Sequence, residues 1–200
     1  EMAGTPYEFA SGWYLRGDIG YTIYSTPSAS FDAPGYGNMK DESLTNTGVA
    51  GFGFGYQLND YLRSDVTFDY RWPADFHGKL KCPAPCTGDP DPEYSDEYAS
   101  IGAWTTLFNV YYDIGTWSNF TPYVGAGIGT SYLTTSDVHY RNPNGTTGKW
   151  NGASEWNFAW ALTLGTSYAI NNNWLIDASY RYVGMGDAVS GKTLSSFKNK

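Results

Sequence analysis

Apolar and polar side chains alternate along this chain, most clearly from residue 156 to 168. Even-numbered positions there carry Trp, Phe, Trp, Leu, Leu, Thr and Tyr, and the positions between them carry Asn, Ala, Ala, Thr, Gly and Ser. Successive side chains of a β-strand point to opposite faces, so this segment has one apolar face and one small, polar face. A charge-free apolar face that ends in aromatic residues suits contact with lipid, as in the strands of roughly 10 residues found in outer-membrane barrels.

Six further segments show the same period of two. They cover residues 12–24, 49–56, 62–72, 104–113, 123–132 and 174–182. The segment 62–72 is typical, since Val66 and Phe68 alternate with Asp65 and Asp69. The pattern therefore predicts seven antiparallel strands, each with an apolar and a polar face.

The connectors between these segments alternate in length. Short turns are predicted at 58–60, 115–120 and 171–173, and long Gly- and Pro-rich loops at 25–46, 73–97, 134–154 and from 184 onward. Outer-membrane barrels have short periplasmic turns and longer external loops, which predicts a periplasmic N-terminus. We predict an all-β fold, a transmembrane eight-stranded antiparallel up-and-down β-barrel. It forms one domain over 1–200, with a periplasmic segment 1–11, barrel strands over 12–183 and an external loop over 184–200.

The charged residues of the predicted polar faces are arginines and aspartates and include no lysine, which argues against a soluble β-sandwich. A solvated face would carry Lys and Glu, yet no lysine falls on a predicted strand. Arginine suits enclosed ion pairs because its planar fork binds carboxylates in a bidentate manner. We expect a lumen ion-pair network of Arg16, Asp18, Arg63, Asp65, Asp69, Arg71, Asp113, Asp177 and Arg181. The small faces of Gly51, Gly53 and Gly55 should leave room for the arginines on the two adjacent strands.

Aromatic residues fall at the two ends of the apolar faces. The predicted inner girdle comprises Trp13, Tyr56, Tyr112, Tyr168 and Trp174. The predicted outer girdle comprises Trp72, Trp104, Tyr132, Trp156 and Tyr182.

Composition narrows the choice of environment and partner. The chain has 200 residues, an aromatic content of 18% and a formal net charge of −8, which makes nucleic acid an improbable partner. The mean hydropathy of −0.44 does not exclude a membrane, because only alternate residues of a barrel strand meet lipid. No signal peptide is visible, so we expect a processed mature form located in the bacterial outer membrane.

Several segments together resemble a known family. GWYLRGDIGY, FGFGYQLNDYLRSDVTFDYR, NVYYDIGTW, FTPYVGAGIG and NNNWLIDASYRY are similar to the small porin-like, opacity-protein-like outer-membrane β-barrels, especially alphaproteobacterial major surface antigens. The resemblance spans Gly12 to about Val183. It implies an abundant, envelope-stabilising barrel that is often antigenic and has no established catalytic residues. Some members attach to peptidoglycan through their N-terminal residues, but the sequence EMAGTPYEF carries no motif that matches this attachment.

The last strand of such a barrel is missing from the predicted set. Unpaired backbone groups in hydrocarbon cost several kcal/mol each, so seven strands with two open edges should not persist in lipid. The segment 184–200 has few large apolar residues, and three lysines are spread over its last nine positions. We therefore expect the eighth strand beyond Lys200, or from another chain.

The remaining candidate chemistry lies in the predicted external loops. Cys82 and Cys86 fit a local disulfide in an oxidising compartment; a metal site is the alternative, although zinc usually takes four ligands. An acidic run at 89–97 lacks the spacing of a calcium loop and fits a solvated loop. His77 and His139 have no Ser or Asp partner at motif spacing, so no catalysis is expected, and surface haem binding is an alternative role for them.

Three function classes remain, in this order. The first is a structural outer-membrane protein and surface antigen with a filled lumen, no cofactor and no metal, surrounded by outer-membrane lipids and lipopolysaccharide. The second is a narrow porin-like diffusion channel, although eight strands leave room only for side chains. The third is a surface ligand binder or adhesin acting through its loops.

Overall fold

The computed structural model describes residues 12–30, 38–81, 94–190 and 195–198. Thirteen strands lie in these ranges. In chain order they are β1 (Trp13–Thr22), β2 (Ser28–Ser30), β3 (Lys40–Leu44), β4 (Thr47–Gln57), β5 (Leu62–Lys81), β6 (Tyr94–Asp113), β7 (Phe120–Thr135), β8 (Val138–Arg141), β9 (Thr147–Trp150), β10 (Ala153–Ala169), β11 (Leu175–Gly184), β12 (Ala188–Ser190) and β13 (Ser195–Lys198). Within those ranges, no helix is long and apolar enough to cross a bilayer.

All seven predicted strands are present, and they form one antiparallel meander. The order in the sheet is β1-β4-β5-β6-β7-β10-β11, so each strand pairs with its neighbour along the meander. The sheet curves until β11 reaches β5, four places away in this order, through the ion pair between Arg181 and Asp69. In the described residues β1 and β11 are the two edges, and an eighth strand between them stays a prediction.

The exposure of the two faces of this sheet is the reverse of that in a soluble protein: the apolar face is exposed and the polar face is buried. Leu15 and Ile19 are 87% and 94% exposed on the convex face, whereas Asp65 and Asn109 are 2% and 1% exposed on the concave face. A soluble β-sandwich would bury the apolar face instead. The convex face therefore suits lipid, and the concave face is the interior.

Tight turns close one end of the sheet. The Asn59 side-chain oxygen accepts hydrogen bonds from the backbone N–H groups of Tyr61 and Leu62, both at 2.9 Å. Asn171 makes the same arrangement with Asn173 and Trp174. In the third turn Ser118 and Asn119 adopt positive φ values of 47° and 73°. These side chains replace backbone partners, which makes short turns stable.

At the opposite end the strands extend beyond the predicted boundary. The segment 73–97 was expected to be a loop, and that expectation is wrong for residues 73–81 and 94–97, which belong to β5 and β6. The reason is an interstrand ladder that continues from Ala74 opposite Ile101 to Lys81 opposite Tyr94. Short strands likewise occupy parts of the other predicted loops: β2 and β3, β8 and β9, and β12 and β13.

A β-bulge at the start of this extension inverts the polarity of β5. Arg71 pairs with Ala103 but Ala74 pairs with Ile101, so Trp72 and Pro73 together oppose Gly102. The extra residue changes which side chains point inward. Between the short turns and the bulge, which we call below it, β5 points charged side chains into the interior. Beyond the bulge toward Lys81, which we call above it, β5 points apolar side chains inward.

The apolar residues above the bulge form a second core. Phe76 and Leu80 are 1% and 2% exposed, and they pack in one cluster with Met39, Leu133 and Val138. Other members are Ala29, Ala99, Ala103, Met185 and Ala188. We call this unit the cap, comprising β2, β3, β8, β9, β12, β13 and the parts of β5 and β6 above the bulge.

Candidate functional site

The interior of the sheet holds a hydrogen-bonded polar cluster that begins at Arg16 on β1. Its Nε and Nη2 atoms donate to both carboxylate oxygens of Asp18, at 2.9 and 2.7 Å. Its Nη1 atom donates to Asp65 Oδ2 at 3.0 Å. Asp65 has no exposed side-chain surface, so this pair is shielded from water. Charge-assisted contacts of this kind are the stronger class of hydrogen bond.

The Tyr111 hydroxyl joins that cluster to the far edge of the sheet. It accepts hydrogen bonds from Arg16 Nη1 at 3.1 Å and from Arg181 Nη2 at 3.3 Å, and it donates to Asp65 Oδ1 at 3.3 Å. Arg181 also pairs with Asp69 Oδ2 at 3.2 Å. Because Arg16 lies on β1 and Arg181 on β11, one phenol connects both edge strands.

A second group lies nearer the short turns. The Arg63 guanidinium lies 4.8 Å from the ring centre of Tyr111 and 4.2 Å from that of Tyr123. Its Nε donates to Asp113 Oδ1 at 3.1 Å. The Tyr123 hydroxyl donates to Asp177 Oδ1 at 2.8 Å. Cation–π contacts hold a buried guanidinium where few carboxylates are available.

Two members of the expected network differ from the expectation of paired charges. Arg71 donates to the Thr105 hydroxyl at 2.9 Å, and no carboxylate of the described residues lies within 4 Å of its guanidinium. Asp177 accepts a hydrogen bond from Tyr123 rather than from an arginine. The interior is therefore a mixed network of ion pairs and tyrosine hydroxyls.

Sequence reasoning placed Tyr111 and Asn109 on the polar faces but assigned them no role. The Asn109 amide donates to Asp65 Oδ1 at 2.8 Å and to the Thr67 hydroxyl at 3.1 Å. The only signal available was a large tyrosine on the polar face, two residues before Asp113. The expected room beside the glycine-rich strand is real for Arg16, because a Cβ at Gly53 would lie 3.1 Å from its Cγ; Arg63 and Arg71 are not among the close neighbours of these glycines.

The girdle candidates lie in pairs on the convex face. Near the short turns, Trp13 contacts Tyr56 with ring centres 5.1 Å apart, and Tyr168 contacts Phe120 at 4.7 Å. Tyr112 and Trp174 are 50% and 70% exposed. At the cap end the contacts are Trp72 with Tyr70, Trp104 with Tyr70, Tyr132 with Trp156, and Tyr182 with Trp160.

The cap encloses one acidic side chain, Glu97. This residue is 2% exposed and accepts a hydrogen bond from the Ser95 hydroxyl at 2.8 Å. Burial raises the pKa of the Glu97 carboxyl to about 7, because an apolar environment disfavours the charged form, and the charge of Asp96 adds to this effect.

The outer face of the cap carries the two histidines. The strand register places His77, Tyr98 and His139 side by side on β5, β6 and β8. The His77 ring is 4.8 Å from that of Tyr98, and its Nε2 lies 3.5 Å from Asp96 Oδ1. A haem iron held by both imidazoles would have to lie between them, where Tyr98 stands, so this arrangement does not favour the haem alternative.

The other candidate chemistry is only partly visible. Cys82 and Cys86 lie outside the described residues, as do Asp89, Asp91 and Glu93 of the acidic run. No group of three or more His, Cys, Asp or Glu side chains in the described ranges is arranged to hold a metal ion.

Comparison with known proteins agrees with this architecture. The family model described as outer membrane protein beta-barrel domain matches residues 3–197. The chain belongs to this family. As a member of it, the protein resides in the bacterial outer membrane and contacts its lipids.

Individual relatives and structures add detail. Outer membrane protein PagN of Salmonella typhimurium is 32% identical, over 88% of this chain and 75% of its own length. A Rickettsia conorii protein named as a candidate adhesin is 29% identical, over 79% of this chain and 62% of its own. The crystal structure of outer membrane protein OprG from Pseudomonas aeruginosa shares the fold, with a TM-score of 0.52 and 18% identity over 94% of this chain and 88% of its own.

Proposed function

We propose that this family member is a structural outer-membrane barrel with a filled, non-conducting interior and a folded cap exposed at the cell surface. The observation that carries the proposal is the interior network centred on Tyr111. Arg16, Arg63 and Arg181 extend into the lumen from three strands, and Tyr111 contacts all three. An interior of this width has room for side chains but not for a solute path beside them.

The cap supports the same proposal. Its apolar cluster contains Leu133 and Ala103, which lie at the mouth of the barrel, together with Phe76 and Met185. Apolar side chains packed over the mouth would exclude water from the route into the lumen. A conducting pore needs a continuous polar path, which this arrangement opposes.

We further propose that the protein is not an enzyme. His77 and His139, the side chains best suited to general base catalysis near neutral pH, lie on the open outer face of the cap. His77 contacts Asp96 and Tyr98 rather than a nucleophile. A catalytic site usually requires convergent groups in a concave pocket, whereas the cleft that His139 lines is shallow and open to the surface.

Planar-bilayer recording tests the main proposal. Purified protein, freed from larger porins, should give no stepwise conductance, and a deletion strain should become more sensitive to detergent and chelator until the gene is restored. Reproducible conductance steps would favour the channel instead.

A second candidate function is surface adhesion. The observation that favours it is the cap itself, a folded unit with its own core rather than a set of separate loops. The Rickettsia relative carries the adhesin name. If the deletion strain loses attachment to host cells but shows no envelope defect, the result would support adhesion over the structural role.

A further inference from the structure

The basic side chains outside the lumen are concentrated on one face. Every lysine whose side chain the structure describes lies there, together with the one arginine that is not in the interior and both histidines. These residues are Lys40, Lys79, Lys81, Arg141, Lys149, His77 and His139. In a chain with a net charge of −8, these cations are gathered on one face, which also carries the carboxylates of Asp41, Asp96 and Asp137.

The face belongs to a five-stranded sheet of the cap. Its strand order is β3-β5-β6-β8-β9. One row across it runs from His77 through Tyr98 and His139 to Lys149. Arg141 lies in the next row, opposite Asp96. Tyr98, His139, Arg141 and Lys149 line a shallow cleft of about 330 Å³.

Two cations on this face have no ion-pair partner within 4 Å among the described residues. Lys79 pairs with Asp41 at 3.1 Å, and Lys149 pairs with Asp137 at 2.6 Å. Arg141 and Lys81 have no carboxylate within 4 Å in the described part of the chain. The exposed pairs are weak in water, so a polyanion could displace them at little cost.

The direction in which the basic face of the cap points identifies the environment that it contacts. On β6 the alternation is unbroken, so Tyr98 points to the same side as Trp104 and Phe108, which face lipid. Tyr98 is six residues beyond Trp104, about 20 Å along the strand and roughly 15 Å along the membrane normal at a tilt of ~40°. The basic face therefore points sideways from the barrel, into the layer just above the outer girdle.

We propose that this face binds the phosphorylated saccharide of the lipopolysaccharide molecules that surround the barrel. The outer leaflet presents phosphate groups on sugars at this level. Guanidinium and ammonium groups bind phosphate, and basic clusters next to a membrane-spanning segment bind anionic lipid head groups. Tyr98 supplies a half-exposed ring between the cations, against which a sugar can pack. The proposal deepens the structural role, because it fixes the cap to the leaflet, and it rests on that role.

The test uses the full chain in detergent micelles, with bound glycolipid counted by native mass spectrometry. The probes are deep-rough lipopolysaccharide with a phosphorylated core, the same glycolipid stripped of phosphate, and dextran sulfate as a soluble polyanion. The test variant carries R141Q and K149Q. The control carries S118D and N172D, which change the net charge equally in the short turns at the other end of the barrel.

We expect the R141Q/K149Q variant to bind phosphorylated lipopolysaccharide at least tenfold more weakly, while the control variant binds like the original chain. The phosphate-stripped glycolipid should bind weakly, and with equal affinity, to the original chain and to both variants. Equal affinity of the two variants, or equal binding with and without phosphate, would overturn the proposal. Loss of dextran sulfate binding alone would also overturn it and would assign the face to a soluble polyanion. None of these outcomes changes bilayer conductance, so the structural role is judged separately.

Discussion

Arg16 and Tyr111 are joined by a 3.1 Å hydrogen bond between the guanidinium Nη1 and the phenol oxygen, across 95 positions of sequence. The same oxygen accepts a hydrogen bond from Arg181 on the opposite edge of the sheet. One hydroxyl on β6 thus connects charges from β1, β5 and β11, and the interior depends on it.

Replacing Tyr111 by Phe should destabilise the barrel by about 1 to 3 kcal/mol, because Asp65 loses a buried hydrogen bond and Arg16 and Arg181 each lose a partly buried one. Urea unfolding in detergent measures the change. Tyr112→Phe is a matched control, because Tyr112 is the next residue along the strand, lies on the convex face and is 50% exposed. Equal unfolding midpoints for the two variants would contradict the central role of Tyr111.

Arg63→Met should cost about 3 to 5 kcal/mol, because Asp113 would remain buried without its cation. Lys149→Met should cost at most ~1 kcal/mol, even though its ion pair is shorter, because both partners are exposed to water. Free energies of unfolding from the same urea titration compare the two. A larger loss for Lys149→Met would show that distance, not burial, decides these pairs.

The cap should be less stable at neutral than at acidic pH because of Glu97. Its pKa of about 7 in the folded cap lies above the ordinary value of 4.5, so the folded state favours the protonated form. This contribution is complete below about pH 4.5 and is lost as the pH rises to about 7, by about 3 kcal/mol. Hydrogen exchange of β6 and β8 amides between pH 5 and 8, corrected for intrinsic rates, measures it.

The control for this prediction is Glu97→Gln, which keeps a hydrogen-bonding side chain at this position but cannot titrate. Any pH dependence that remains in that variant arises from groups other than Glu97. If the variant and the original chain lose cap protection equally between pH 5 and 8, Glu97 is not the titrating group.

Deleting Pro73 should unfold the cap and leave the membrane sheet intact. Without the extra residue, Phe76 and Leu80 would turn outward and His77 and Lys79 inward, which reverses both faces. Limited proteolysis should cut the cap of the deletion variant while the strands in detergent resist. Pro73→Ala keeps the residue count and should retain a protected cap; equal protection in both variants would refute the role of the bulge.

The period-two pattern determined the membrane sheet because its cause is local. Side-chain alternation is a property of each strand, and lipid accepts only the apolar face, so the faces around Phe68 and Asp69 follow from sequence alone. Two of the short turns were equally predictable, since Asn59 and Asn171 make hydrogen bonds within two or three residues. Alternation also continues past Trp72 with the same parity at Phe76 and Leu80, so the pattern alone would place these side chains on the lipid face, and only the bulge turns them inward.

Partner choice inside the sheet required the tertiary structure. Sequence placed Arg181 and Asp69 on inner faces, but only the curvature of the sheet brings together residues 112 positions apart. The same holds for Tyr111, whose role depends on three strands meeting at one oxygen. Curvature, register and the single inserted residue at the bulge are long-range properties that sum over many weak contacts, so no local pattern specifies them. Within the membrane strands the sequence determined which side chains face lipid and which face inward, because alternation is local; the tertiary structure decided which inward side chains touch, and at the bulge it reversed the faces of β5.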